Sequence, residues 1–158
     1  MNKKHIPMAE LYPVMAEKIA NGGEVTFKVA GKSMQPMVFH RRDTVTIKKH
    51  SGKLKKYDLP FYRRDDGTFI LHRVIKLQKN GNYTCRGDNQ WEKEFDVRDD
   101  QIIGVVTSFT RGGKVVDVKV SRGYKFYCKI WPWVHFLKPL YKYFVKFQSI
   151  FSKNKEKS

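Results

Sequence analysis

Thr68-Phe69-Ile70-Leu71-His72-Arg73-Val74-Ile75 lies between Asp65-Asp66-Gly67 and Lys79-Asn80-Gly81-Asn82. β-branched and aromatic residues dominate this octet, and both flanks carry turn chemistry. That predicts a strand bounded by hairpins. Asn82-Tyr83-Thr84-Cys85-Arg86 is its returning partner. Further out, residues 25–29 and 44–48 alternate apolar and polar side chains with the period of a half-buried strand. Residues 57–62 read as another strand start, where Pro60 points to an edge or a bulge. Residues 102–109 and 115–118 flank a turn at Arg111-Gly112-Gly113. Short strands separated by turns predict a mainly β domain, either a small curled barrel or a pair of curled sheets.

Ahead of the strands, Met8, Leu11, Tyr12, Met15 and Ile19 share one helical face. Pro7 suits a first turn and Asn21-Gly22-Gly23 a stop, so residues 7–21 are expected to form a packing helix. After residue 121 the composition changes. Aromatic residues alternate with lysines, and Lys125 and Lys129, then Lys138, Lys142 and Lys146, recur one helical turn apart. Pro132 and Pro139 divide this stretch into short helices. The expected organisation is a β domain over 1–121 and a basic, aromatic, amphipathic appendage over 122–158, ending in a disordered tail at 152–158. Rings at headgroup depth and lysines against lipid phosphates would make the appendage a membrane-surface anchor.

The 158 residues carry 32 Lys and Arg against 15 Asp and Glu, a formal net charge of +17. Such an excess calls for an anionic neighbour, a lipid surface or a nucleic acid. No nucleic-acid-binding motif accompanies the charge, so no specific nucleic-acid partner is expected. Neither a signal peptide nor a window of about 18 apolar residues is present, so no membrane span is expected. Two cysteines, Cys85 and Cys128, lack metal or redox spacing and are expected to be idle thiols. No metal or cofactor is expected.

Two positions invite chemistry. Gly31-Lys32-Ser33-Met34-Gln35-Pro36 follows a strand, and its glycine and proline hold Ser33 at a rigid corner. Gly31 would allow tight geometry and a close approach of another chain segment. A serine hydroxyl needs a base. Of five histidines, His72 is the one held mid-strand among apolar neighbours, where the sheet fixes the ring. A histidine base needs a third group to fix its tautomer. Hairpin pairing carries Arg86-Gly87-Asp88-Asn89 back toward the His72 strand, which makes Asp88 one candidate and Asp96 another.

The blocks Gly-x-Ser-Met-x-Pro, Tyr57-Asp58, His72-Arg73-Val74, Gly87-Asp88-Asn89 and Ile103-Gly104-Val105 stand in an order that resembles the signal peptidase superfamily, over residues 24–109. The resemblance implies a β-rich serine endopeptidase. Ser33 would be the nucleophile and His72 the base, as in the histidine type of the endoplasmic reticulum and archaea; the bacterial type and the self-cleaving repressors use lysine there. It further implies Asp88 or Asp96 as the group orienting His72, the Ser33 N–H as an oxyanion donor, and Gly31, Met34 and Pro36 around the substrate, with Met34 lining a pocket for small side chains. The substrate would be a leader or signal segment of a peptide or protein. With Lys125, Lys129, Lys138, Lys142 and Lys146 on an anionic leaflet, the enzyme would sit peripherally on the cytoplasmic side. The alternative is a catalytically idle barrel that binds anionic lipid or nucleic acid through its charge.

Overall fold

A computed structural model describes residues 7–133 and Leu137. Helix α1 (Met8–Ala20) precedes strands β1 (Glu24–Lys28), β2 (Thr44–Lys48), β3 (Pro60–Arg63) and β4 (Phe69–Leu71). Then come β5 (Arg73–Leu77), β6 (Tyr83–Arg86), β7 (Glu94–Val97), β8 (Ile102–Arg111) and β9 (Lys114–Asp117). Residues 122–133 are helical and are called α2. The chain is thus mainly β, with a helix toward each end. The strands form two antiparallel sheets, not one closed ring. One runs β1-β2-β8-β3-β4 with β9 added on β8; the other runs β5-β6-β7.

The expected turns close as the chemistry requires. Gly67 at φ +85° closes the β3–β4 hairpin, and Gly81 at φ +86° the β5–β6 hairpin. Pro60 opens β3, which lies inside the sheet between β8 and β4. The irregularity is therefore a bulge, at Phe61/Tyr62 against β8, and not an edge.

The octet 68–75 does not stay one strand. It breaks at His72: β4 pairs with β3 in the first sheet, and β5 pairs with β6 in the second. His72 is the single residue at the crossing, with its N–H on the Pro60 carbonyl at 3.4 Å. A continuous strand would bury both halves in one sheet; the break lets Leu71 and Val74 serve different cores.

Met15 and Ile19 of α1 pack with Val45, Ile47, Phe61 and Val106 on the larger sheet. Leu54, Tyr62, Val74, Tyr83, Cys85 and Val97 form a second cluster. Full burial of side chains this size contributes about 1.5–3 kcal/mol each. The helix α2 belongs to the domain. Tyr124, Cys128 and Trp131, at helical spacing, form a buried stripe, and Trp131 Nε1 donates to the Asp88 carbonyl at 3.1 Å. A boundary at residue 121 does not separate this helix from the strands, and these rings face protein. Phe126, Ile130, Trp133 and Leu137 are exposed instead. No helix among the described residues is long and apolar enough to cross a membrane. Lys138, Lys142, Lys146 and the 152–158 tail lie outside the described residues.

Candidate active site

The corner after β1 starts with Gly31 at φ +90°, in the left-handed region that favours glycine. A β-carbon there would meet nothing within 4 Å, so backbone conformation is the requirement, not close approach. The Gly31 N–H donates to His40 Nδ1 at 2.8 Å. The close approach occurs at Gly87. A β-carbon on Gly87 would lie 2.7 Å from the Ser33 carbonyl oxygen and 3.0 Å from Ser33 Cβ. Asn89 completes the clamp: its N–H donates to the Ser33 carbonyl at 2.7 Å and its Nδ2 to the Lys32 carbonyl at 3.3 Å. Ser33 itself is half-buried, and neither its N–H nor its Oγ has a partner among the described residues.

Gly87→Ala should therefore push the serine corner out of place. Overpacking of this kind costs about 1–3 kcal/mol. Urea unfolding and any Ser33-dependent reaction should both be impaired; unchanged values in both would remove Gly87 from the site.

Register brings His72 and the Ser33 corner to the same end of the smaller sheet. Arg73 pairs with Arg86 across β5 and β6. His72 and Gly87 are the residues just outside that end pair. A Gly87 side chain would point at Ser33, so the serine corner abuts the end of the β5–β6 ladder that His72 precedes. No hydrogen bond joins Ser33 and His72 among the described residues.

The groups that orient His72 are not those expected. Asp88 is fully buried and bound by Arg73, through Nε to Oδ1 at 2.8 Å and Nη2 to Oδ2 at 2.7 Å. Tyr127 donates to the same Oδ2 at 2.9 Å. Asp96 is exposed on β7 and accepts from Asn80 Nδ2. Neither contacts His72. On the Nδ1 side of the ring stand the Tyr62 hydroxyl at 3.3 Å and Glu94 Oε2 at 3.6 Å.

This arrangement fixes the tautomer. Tyr62 gives its one proton to Glu94 Oε2 at 2.7 Å, and Arg64 donates to both Glu94 oxygens. Burial by itself would push the Glu94 carboxyl up. Hydrogen bonds from Arg64, His72 and Tyr62 outweigh it and hold the group far below the usual carboxylate range. An ionised carboxylate only accepts, and a phenol oxygen that has donated its proton can only accept from the ring. Nδ1 therefore carries the hydrogen, and Nε2 keeps the lone pair that a base uses.

Met34 is about 1% exposed and packed in the main core with Met37 and Val38; Pro36 is exposed. An apolar thioether beside a buried strand gains more from the core than from a wet cleft. Burial pushes the Cys85 thiol up to about 12, which removes it as a thiolate nucleophile.

Comparison with family models, curated proteins and solved structures gave no match. Three members of the site escape a reading of the sequence. Glu94 sits in Trp91-Glu92-Lys93-Glu94, which looks like solvated charge; only its register opposite Cys85 carries it to Tyr62. Tyr62 reads as a core aromatic, and His40 as a basic-loop residue. The signal available for Glu94 is the alternation of Glu94, Phe95, Asp96 and Val97 as a third strand.

Proposed function

We propose that this chain is a serine endopeptidase of the signal-peptidase type, with Ser33 as nucleophile and His72 as general base. The observation that carries the reading is that Gly87, at the end of the β5–β6 ladder that His72 precedes, abuts Ser33, while Tyr62 and Glu94 stand on the Nδ1 side of the His72 ring and leave the far ring nitrogen without a partner among the described residues. In the reaction, Ser33 Oγ attacks the scissile carbonyl carbon as its proton passes to His72 Nε2. The Nδ1–H stays against Tyr62 and Glu94, which stabilise the imidazolium that forms. The unpartnered Ser33 N–H is positioned as a donor to the developing oxyanion. The imidazolium then protonates the leaving amine. A water, deprotonated by the same ring, releases the acyl group from Ser33. The substrate class, a leader or signal segment, follows from the resemblance of the ordered motifs.

The test is intact-mass spectrometry of small exported peptides encoded beside the gene, each co-expressed with the wild type or with Ser33→Ala. A leader lost only with the wild type is the expected outcome. Leader loss that persists with Ser33→Ala would assign the cleavage to another protein and sink the nucleophile assignment.

A further inference from the structure

A cavity of about 590 Å³ opens on the side of the domain formed by the end of β2, residues 49–59, the middle of β8 and α2. None of Ser33, His72 and Glu94 lines it; Tyr124 and Cys128, which also touch Arg73, separate it from that site. Its lining combines two opposites. Leu54, Leu59 and Val106 give it an apolar floor, and seven lysines ring it with one carboxylate, Asp58. Lys48 and Lys53 have acidic neighbours. Lys49, Lys55, Lys119, Lys125 and Lys129 form no ion pair among the described residues, although the Asp58 and Asp117 carboxylates accept the backbone N–H groups of Lys55 and Lys119. The lysines around this concavity outnumber the carboxylates beside them and repel each other, and an anion entering it relieves that repulsion.

The helix α2 adds a second observation. At 100° per residue, Tyr124 and Cys128 face the core and Lys125 and Lys129 come next around the helix. Beyond them lies the exposed stripe Phe126, Ile130 and Trp133. The lysines thus stand between the cavity and an apolar, aromatic ridge. A polyanion such as duplex DNA would use the charge and leave the ridge unpartnered. An amphiphile uses both. We propose that this cavity binds the headgroup of an anionic phospholipid at a membrane surface, with the ridge of Phe126, Ile130 and Trp133 inserted among the acyl chains beside it. The inference does not depend on the peptidase reading.

The experiment is sedimentation of the full chain with phosphatidylcholine vesicles, pure or mixed with phosphatidylglycerol. Wild type should partition onto the mixed vesicles only. The pairs K49E/K119E, in the cavity, and K125E/K129E, on its helical wall, should each weaken partitioning about tenfold or more. K79E/K114E changes net charge equally on exposed lysines outside the cavity and should weaken it far less. F126S/I130S should also lower vesicle partitioning about tenfold, while leaving retention on a polyanion column unchanged. Circular dichroism confirms that each surface variant is folded. The proposal is overturned by any of three outcomes: no partitioning of wild type, equal losses for all three lysine pairs, or wild-type partitioning of the F126S/I130S variant. Equal losses would mean that the charge acts as a diffuse field, and an inert ridge would reassign the cavity to a soluble polyanion.

Discussion

His72→Ala is expected to lower hydrolysis of the cleaved leader by about 10⁴-fold or more, because loss of a base in a serine site removes most of the rate. The more informative variants lie behind the ring. Glu94→Gln keeps the shape but gives Tyr62 and His72 an amide that can donate where only acceptors stood. The hydrogen on Nδ1 is no longer enforced, and turnover should fall by about 10²–10⁴-fold with the fold retained. Tyr62→Phe leaves Glu94 Oε2 at 3.6 Å from Nδ1, near enough to take over, so the loss should be about tenfold. A purely structural role for Glu94 predicts a different pattern: lower stability with unchanged turnover for the folded fraction. Its stabilising effect also has a sign. The folded carboxyl is held below its ordinary value of 4.5, so it stabilises above that pH and the contribution fades as pH falls. The stability gap between wild type and Glu94→Gln should accordingly be full at neutral pH and narrow on acidification. If Glu94→Gln and Tyr62→Phe both turn over like wild type, the pair does not position His72.

Arg73→Met should cost about 3–5 kcal/mol in urea unfolding. Arg73 is fully buried, and its donors reach Asp88, the Tyr57 carbonyl at 3.2 Å and the Tyr124 hydroxyl at 2.8 Å. Burial alone would push its guanidinium down; Asp88 overrides that and holds it above its ordinary value. Methionine removes the charge that satisfies Asp88 and leaves a buried carboxylate with Tyr127 as its remaining side-chain donor. That desolvation cost, not the strength of the pair, sets the size of the effect. Removing both charges should recover most of the stability, so Arg73→Met combined with Asp88→Leu is the control. A single-variant cost below about 1 kcal/mol would mean that Asp88 is reached by water or carries a proton. Because Asp88 lies between Gly87 and Asn89, the rescued double variant should still be slow if Ser33 is held through that loop.

Much of the fold was legible because local chemistry and burial agree. Val45 and Ile47 alternate with threonines and lie inside; Gly67 and Gly81 sit where turns need positive φ. Ser33, His72 and the Gly87–Asn89 loop were legible as a set because each has a conspicuous local constraint. The failures share a cause. Whether Asp88 faces His72 or Arg73 depends on which side of β5 a side chain leaves, and one residue reverses it. The break at His72 depends on a change of sheet, which an apolar octet does not encode. Aromatic residues of α2 fit a membrane interface and a core face equally well until the Asp88–Arg73 pair is there to be covered.

The ten residues of β8 pair with β2, β3 and β9 in turn. Ser33, His72 and Glu94 all precede that strand in the chain. During synthesis, these three residues leave the ribosome before the strand that joins β2 to β3, and before the helix that covers Asp88. A nascent chain ending ahead of residue 102 holds these residues, the β5-β6-β7 sheet and two separate hairpins, but not the strand that joins β2 to β3. Order of emergence thus acts as a delay: the β1–β2 hairpin that leads into the Ser33 corner and the β3–β4 hairpin that leads to His72 come into one sheet only once β8 has emerged.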